Sequence, residues 1–338
     1  MTSYVPPCTI TPQLLNLVAE VSEAVGRLSV QAEQNASLML YRVNRIRTIT
    51  GSLAIEGNKL NEEQVTAIVD GKRVLAPERE LQEVKNAIQA YESMDQWRTD
   101  SEQDLLSAHR QLTFGLIESA GHYRTSGVGV MKGDAVVHMA PQASRVAKLM
   151  ADLMEWVQKS EHHPLITGSI FHYEFEFIHP FSDGNGRLGR LWQTLILKNW
   201  NSVFSYIPVE SMVYQHQQDY YQAINSSTEK SDAEPFVYFM LKMIRDAINE
   251  VATDTPQDTP HVTPQVERLL KALNGTMSRE DLQQALGLKD RKSFRLVYLL
   301  PALDSALIEM TIPTKPQSKM QKYRLTEFGK QVRKRMSR

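Results

Sequence analysis

The N-terminal third of the chain has apolar residues at helical spacing. From Thr11 onward they recur every three or four positions, at Leu14, Leu15, Val18, Val21 and Val25. A second long helical segment runs from Gln31 to Thr50. We therefore predict a helical N-terminal region over residues 1–100.

The next region, 101–251, contains a different pattern at its centre. Glycines interrupt a valine-rich stretch, VGVMKGDAVVHM, from Val128 to Met139. Alternating apolar residues around Lys132-Gly133-Asp134 predict a short β-hairpin. Helical patterns then resume over Ser144–Lys159 and Leu165–Phe177.

A helix must end at His179-Pro180, because proline disfavours helical backbone in the residue before it. A glycine-containing turn follows, and we predict another helix from Arg187 to Trp200. This interruption between two helices carries the most informative residues of the chain.

The segment 252–264, ATDTPQDTPHVTP, combines three evenly spaced prolines with small polar residues and predicts a linker. After it, 265–338 shows a helix over Val266–Leu273, a capped helix start at Ser278, and two strand-like segments, IEMTIP and KYRLT. We predict a small winged-helix-like α+β domain there. The fold class is accordingly mainly α, with one hairpin and this C-terminal domain.

Charge is distributed unevenly along the chain. From Pro264 to Arg338 there are sixteen Lys and Arg against seven Asp and Glu, a net charge of +9, whereas the whole chain carries −1. A basic domain of this kind can contact DNA, an acidic protein or the acidic remainder of its own chain. Charge by itself does not distinguish these partners.

Cysteine usage and hydropathy bear on location. The single cysteine, Cys8, excludes an internal disulfide framework, so a reducing compartment is expected. The first residues lack the pattern of a signal peptide, and no apolar run approaches the roughly 20 residues of a membrane span. We expect a cytoplasmic protein with no membrane partner.

The stretch HPFSDGNGRLGR, from His179 to Arg190, has the residues of a phosphate-binding loop. Gly184 and Gly186 allow the backbone to turn and to approach a ligand closely. Backbone N–H groups at the start of the following helix then form an anion site, strengthened by the positive end of the helix dipole. The sequence therefore predicts an anion site suited to a phosphate chain.

Charged residues in the same stretch extend this interpretation. Arg187 and Arg190 lie three residues apart in the first helical turn, where a cation is unfavourable unless an anion binds. Asp183 offers an oxygen ligand for Mg²⁺, which usually binds through one or two carboxylates plus substrate phosphates. His179 is then the candidate general base.

These twelve residues resemble the signature of the Fic family, HPF-x-[DE]-GNGR-x-x-R, and match it at every fixed position. The resemblance implies a Fic-type helical bundle in which His179 deprotonates a target hydroxyl and AMP passes from ATP to a protein. It also implies that Asp183 holds Mg²⁺ and Asn185 contacts the α-phosphate. The amides at Gly184 and Gly186, with Arg187, would stabilise the leaving phosphates, and Phe181 would be a buried anchor.

Two further segments resemble parts of the same family. Ser52 to Asn58, SLAIEGN, matches the inhibitory motif [ST]-x-x-x-E-G-N, whose glutamate, here Glu56, pairs with Arg190 and excludes the γ-phosphate. The hairpin Val128–Met139 resembles the flap on which the target segment pairs by β-augmentation. Without the family loop, either segment would be read as an ordinary surface feature.

Several alternatives stay open at this level. Tyr221, beside Tyr220, resembles a position that lines the adenine side, although paired aromatic residues are more often core. The chain could modify itself or form a homodimer, and relatives move other phosphate-containing groups or reverse AMPylation. The main rival interpretation is a DNA-binding regulator whose Fic domain senses nucleotide.

Overall fold

The computed structural model describes residues 4–35, 38–127, 129–132, 135–254, 264–288, 290–305, 307–312, 318 and 320–336. Val128 and the hairpin turn residues Gly133 and Asp134 lie outside these ranges, as do 255–263 of the predicted linker and much of the predicted wing. The chain divides into two compact units, one made of Met1–Val30 and Val43–Val251, the other of Gln31–Arg42 and Ala252–Arg338.

Helices dominate the residues before the predicted linker. They are α1 (Pro12–Asn35), α2 (Leu38–Ile55), α3 (Glu62–Val69), α4 (Glu78–Ser93), α5 (Glu102–Leu112), α6 (Ala143–Lys159), α7 (Pro164–Ile178), α8 (Asn185–Trp200), α9 (Val209–Gln215), α10 (Gln217–Lys230) and α11 (Glu234–Asp254). The second helix thus begins at Leu38 rather than at the predicted Gln31, because α1 continues as far as Asn35.

The helices α7 and α8 form the centre of the first unit. Almost every residue of α7 is buried, and so is α8 from Arg187 to Leu197. A helix that is buried on all sides belongs in the middle of a helical bundle. Gly189 allows the two helices to approach closely, because a Cβ atom there would lie 3.1 Å from Cδ2 of His172.

The hairpin consists of β1 (Gly129–Lys132) and β2 (Ala135–Met139), of which only the backbone is described. The strands are antiparallel, with Gly129 opposite Met139 and Lys132 opposite Ala135. The register shifts between Val130 and Met131. The predicted hairpin is therefore present between α5 and α6.

The C-terminal part of the second unit is a small α+β structure. Its elements are α12 (Pro264–Ala272), β3 (Thr276–Ser278), α13 (Arg279–Ala285), α14 (Arg291–Ser293), α15 (Leu300–Asp304), β4 (Ile308–Met310), β5 (Lys322–Leu325) and α16 (Glu327–Met336). The strands form an antiparallel sheet in the order β3-β5-β4. Its core includes Leu269, Leu270 and Phe294.

The helical segment that carries Arg291, Lys292 and Arg295 is interrupted. Arg291 and Lys292 lie in α14, whereas Arg295 lies in a π-helical turn, Phe294–Leu299, that precedes α15. Pro301 near the start of α15 has no N–H to continue a regular hydrogen-bond ladder across this point. The mainly helical fold with one hairpin and a C-terminal α+β unit is nevertheless confirmed.

None of the helices in the described part of the chain has the length and apolar character required to cross a membrane.

Candidate active site

The candidate base, His179, lies at the end of α7 in a left-handed conformation, with φ 48° and ψ 62°. This conformation costs a non-glycine residue roughly 1–2 kcal/mol and is typical of functional sites. The backbone N–H of His179 donates to the carbonyl oxygen of Phe175 at 2.9 Å. Its side chain is 20% exposed, and Nδ1 lies 3.9 Å from Oε2 of Glu176.

The loop between α7 and α8 is closed by Asn185. Its Oδ1 accepts a hydrogen bond from the N–H of Phe181, and its Nδ2 donates to the carbonyl oxygen of Phe181, both at 2.9 Å. The Asn185 side chain is almost fully buried. Its predicted contact with the α-phosphate stays a prediction and would rely on the second hydrogen of Nδ2.

Gly184 is required for the turn into α8. It adopts φ 85° as the residue before the first helical position, and a Cβ atom there would lie 2.7 Å from Cγ2 of Thr113. Leu188 donates the first bond of the helix, to the carbonyl oxygen of Gly184 at 3.0 Å. The backbone N–H groups of the first turn therefore face a potential ligand, as the start of a helix requires.

Sequence reasoning missed His109 on α5, which supports this loop from beneath. Its ring stacks on the buried Phe181 with centroids 3.6 Å apart. Nδ1 accepts from the N–H of Gly121 at 2.8 Å, so Nε2 donates to the carbonyl oxygen of Asp183 at 2.9 Å. Burial lowers the pKa of His109 to about 4, so the ring is neutral at physiological pH.

The pattern of α5 offered one signal for His109. The buried residues of this helix are Leu105, Ala108, His109 and Leu112, so a histidine lies on the apolar stripe. A polar side chain on such a stripe needs hydrogen-bond partners inside the protein. Its partners, Gly121 and Asp183, could not be identified from spacing along the chain.

Arg187 lies beneath the loop with unused hydrogen-bonding capacity. Its Nη2 donates to Oδ1 of Asp183 at 3.0 Å, and its Nη1 lies 3.7 Å from Oε1 of Glu83. Within the described residues, Nε and Nη1 are buried without a hydrogen bond. Buried donors of this kind normally have partners, so their orientation is suited to an anionic ligand.

Asp183 is the one carboxylate of the loop, and it is 36% exposed. Oδ1 accepts from Arg187 and from the N–H of Gly184, while Oδ2 accepts from Nη2 of Arg79 at 3.0 Å. No cluster of three or more metal-ligating side chains occurs in the ranges that the structure describes. The role of Asp183 as a ligand of Mg²⁺ therefore stays a prediction, and it would need oxygen ligands from outside this side chain.

Arg190, one turn further along α8, is 2% exposed and binds the end of α2. Its Nε donates to Oγ of Ser52 at 3.1 Å, and its Nη2 donates to the carbonyl oxygen of Ser52 at 3.0 Å and to Oε1 of Glu56 at 2.7 Å. Burial by itself would lower the pKa of Arg190, but the charge of Glu56 raises it. The predicted partners Ser52 and Glu56 are thus brought together with Arg190.

The carboxylate of Glu56 lies directly against the start of α8. A Cβ atom on Gly186 would lie 2.2 Å from Oε1 of Glu56 and 2.9 Å from Nη1 of Arg190. Gly57, with φ 90°, allows the chain to leave α2 at this point. Gly186 therefore leaves room for one anion beside Arg190, and Glu56 occupies that place.

A network of buried, hydrogen-bonded side chains lies close to Arg190 and Glu56. Nδ1 of His172 lies 2.6 Å from Oε1 of Gln193, so Nδ1 carries the proton and Nε2 accepts from the hydroxyl of Tyr220. Burial lowers the pKa of His172 to about 3, with a contribution from Arg190. Burial raises the pKa of Glu176 to about 7, and the Glu56 carboxylate adds to the effect while Arg190 opposes it.

The paired tyrosines Tyr220 and Tyr221 lie in different surroundings. Tyr220 is buried in this network, whereas Tyr221 is 38% exposed, with its hydroxyl 3.5 Å from the carbonyl oxygen of Ile55. The same carbonyl accepts from Nε2 of Gln217 at 2.8 Å. His163 caps α7 through Leu165, and His162 is exposed.

Family models match both parts of the chain. Residues 99–197 match the Fic/DOC family, and residues 264–326 match the C-terminal domain of filamentation induced by cAMP protein Fic-like. A crystal structure of a Fic family protein from Desulfovibrio desulfuricans G20 is 53% identical, covers 96% of this chain and 99% of its own, and superposes with a TM-score of 0.75.

Curated relatives are more distant. A protein adenylyltransferase Fic from Nematostella vectensis is 27% identical over 215 residues, 60% of this chain and 48% of its own. Its counterpart from Aedes aegypti is 29% identical over 230 residues, 63% of this chain and 44% of its own. The chain therefore spans less than half the length of these relatives. Caenorhabditis elegans Fic-1 (aa134–508), at 23% identity and a TM-score of 0.57, shows likeness of fold.

Proposed function

Because the chain belongs to the Fic family, we propose that it transfers AMP from ATP to a hydroxyl side chain of a target protein or of itself. The names of the curated relatives support this activity, and so does the loop that joins α7 to α8. A reducing, cytoplasmic setting suits the lone Cys8.

In the proposed reaction, His179 takes the proton of the acceptor hydroxyl as its oxygen attacks the α-phosphorus of ATP. The new bond joins that oxygen to phosphorus, the bond to the β-phosphate oxygen breaks, and pyrophosphate leaves. We assign this role to His179 because it lies at the left-handed end of α7, where the loop toward α8 begins.

The observation that carries the proposal is the pair of unused donors on Arg187. The Nη2 of this buried guanidinium binds Asp183, whereas Nε and Nη1 have no hydrogen bond in the described part of the chain and are available to donate to a phosphate. Arg187 lies in the first turn of α8, where backbone N–H groups without a partner in the helix suit an anion. Asp183 is the residue that would hold Mg²⁺, which neutralises charge on the leaving phosphates when bound.

We further propose that Glu56 restrains this activity. Its carboxylate forms a charge-assisted hydrogen bond with Arg190, which would otherwise be available to the γ-phosphate. Ser52 holds the same guanidinium through two bonds and so fixes it in reach of either anion. Tyr221 is placed near Ile55 and could line the nucleotide base.

For the target, we propose docking along the hairpin by added strand pairing. The basic C-terminal unit supports a second candidate function, DNA binding through a winged helix, because Arg291 and Arg295 are exposed. A DNA shift that falls steeply with salt and survives His179→Ala would support it. No such shift at low salt would leave protein docking as the role of this unit.

The first test compares labelling of protein by ATP labelled at the α-phosphate. Wild type, Glu56→Gly and Glu56→Gly/His179→Ala are incubated with Mg²⁺ and a cell extract, and with the enzyme as sole acceptor. We expect weak, strong and absent labelling, respectively. EDTA should abolish the strong signal.

Each failure has a different meaning. If Glu56→Gly labels no more than wild type, the restraint by Glu56 is wrong, although the transferase activity can stand. If the double variant still labels, His179 is not the base. If label from the γ-phosphate is incorporated instead, the reaction is phosphoryl transfer and not AMP transfer.

A further inference from the structure

Arg124, which precedes the hairpin, is buried, and all of its hydrogen bonds within the described residues go to backbone carbonyl groups. It is 4% exposed. Its Nε donates to the carbonyl oxygen of His179 at 2.7 Å, and Nη2 donates to that of Ile178 at 3.3 Å. On the other side, Nη1 donates to Ser126 at 2.9 Å and Nη2 to Pro141 at 2.5 Å.

The four carbonyl groups that Arg124 binds belong to separate parts of the chain. Ile178 and His179 belong to the end of α7, where the candidate base lies. Ser126 comes just before β1, and Pro141 just after β2, so they are the two roots of the hairpin. One guanidinium therefore joins both roots of the hairpin to the residue that carries the imidazole.

Burial of the Arg124 guanidinium costs free energy unless nearby groups stabilise its charge. Burial lowers the pKa of Arg124, and no carboxylate pairs with it among the residues described. The negative end of the α7 dipole and the unsatisfied carbonyl groups of its last turn compensate the cost. The backbone N–H of Arg124 adds a fifth bond, to the carbonyl oxygen of Pro180 at 2.9 Å.

Arginine is suited to this geometry because its five donors form a rigid planar fork. Because Nε, Nη1 and Nη2 all donate to carbonyl groups, the guanidinium fixes the orientation of the backbone at the end of α7 and at both roots of the hairpin. Lysine can reach carbonyl groups with a single ammonium, but it cannot hold two separated segments in one plane. The geometry thus distinguishes arginine from a mere positive charge.

We propose that Arg124 is a positioning residue that sets the hairpin relative to His179, so that an acceptor segment on the hairpin presents its hydroxyl to the imidazole. The inference rests on the proposed AMP transfer. A displacement of about 1 Å between reacting groups can reduce a rate by roughly 100-fold, and the position of the hairpin would control this distance. None of the side-chain bonds of Arg124 goes to Gly184, Gly186 or Arg187, so we expect the affinity for nucleotide to be preserved when Arg124 is replaced.

The test uses Arg124→Met, Arg124→Lys and the control Arg145→Met in the full chain carrying Glu56→Gly. Arg145 is an exposed arginine near the start of α6, so its loss changes charge without touching the hairpin roots. Self-labelling from α-labelled ATP gives the first-order rate constant at saturating ATP, called kcat below, and the KM for ATP. Affinity for Mg·ATP is measured by calorimetry with His179→Ala added, and amide hydrogen exchange is followed over 126–141.

We expect Arg124→Met to lower kcat by about 100-fold while the affinity for Mg·ATP changes less than about twofold. Exchange of the hairpin amides should accelerate, with exchange in α7 and α8 unchanged. Arg124→Lys should lose about tenfold in kcat, and Arg145→Met should behave as the parent.

Two results would overturn the proposal. One is an unchanged kcat in Arg124→Met; the other is loss of nucleotide affinity together with faster exchange throughout α7 and α8, which would indicate a purely structural role. If Arg124→Met does not fold, Arg124→Lys decides by the same readouts. If the Glu56→Gly parent does not label at all, AMP transfer fails, and unchanged hairpin exchange would separately refute the positioning role.

Discussion

Replacement of Glu56 should strengthen nucleotide binding by an amount that the structure allows us to work out. In the present arrangement Oε1 of Glu56 accepts from Nη2 of Arg190 at 2.7 Å. A hydrogen bond to a charged group contributes about 1.5–3 kcal/mol. Because the Glu56 side chain is 37% exposed, solvent screens the pair and the lower part of this range applies.

If the bond between Glu56 and Arg190 contributes about 1.5–2 kcal/mol, its loss should change the affinity for Mg·ATP about 10- to 30-fold, since about 1.4 kcal/mol is one factor of ten. We therefore expect Glu56→Gly to bind Mg·ATP about 10- to 30-fold more tightly than the protein with Glu56. Glu56→Gln retains an acceptor oxygen but loses the charge. Its affinity for Mg·ATP should therefore rise only about fivefold, which corresponds to about 1 kcal/mol.

The assay is calorimetric titration with Mg·ATP in a His179→Ala background, which prevents turnover. Glu92→Gln is the matched control, because Glu92 is an exposed carboxylate on α4 and its removal changes the net charge equally. Glu56→Ala controls for the added backbone freedom of glycine. Thermal unfolding with and without Mg·ATP gives an independent measure.

The reasoning is refuted if Glu56→Gly and its parent bind Mg·ATP equally. It is also refuted if Glu92→Gln gains as much as Glu56→Gln, because the effect would then be long-range charge repulsion. A gain in labelling without a gain in affinity would mean that Glu56 alters the pose of ATP and does not compete for its site.

Three further predictions follow from the same contacts. Asn185→Ala should lower the free energy of unfolding by about 1–3 kcal/mol for each backbone group of Phe181 left unpaired, measured by urea unfolding. Gly186→Ala should fold but lose more than about tenfold in affinity for Mg·ATP even with Glu56→Gly, because its Cβ atom enters the anion site beside Arg190. The His109 pKa is lowered to about 4, so stability present above pH 6.5 is lost as the pH falls toward 4; His109→Gln should flatten this loss by up to ~3 kcal/mol.

The backbone course between α7 and α8 could be predicted from the sequence because its residues are contiguous. Pro180, Gly184 and the two arginines each restrict local backbone or charge, and their consequences do not depend on distant parts of the chain. The structure brings them together as a helix end, a left-handed turn and a new helix start. The pairing of Glu56 with Arg190, 134 residues apart, was expected only from the family resemblance.

His109 and Arg124 could not be predicted in the same way. Each acts on a backbone carbonyl group far away in sequence: His109 on Asp183 and Arg124 on His179, at separations of 74 and 55 residues. Neither residue has a partner at a fixed spacing, and backbone carbonyl groups carry no sequence signal. Side chains that support a site through the backbone are therefore invisible to motif reasoning.

The two arginines at the start of α8 explain why a restraint of this kind suits the fold. Both are buried, so desolvation disfavours each cation when no anion is bound, and the helix dipole adds to this for Arg187 in the first turn of α8. The Asp183 carboxylate is the anion that pairs with Arg187, and the Glu56 carboxylate is the anion that pairs with Arg190. In the proposed function, the two carboxylates stabilise these arginines while no nucleotide is bound, and Glu56 gives way when phosphates bind. It follows that Glu56→Gly should unfold more readily than wild type without nucleotide, and that Mg·ATP should restore more stability to the variant than to wild type.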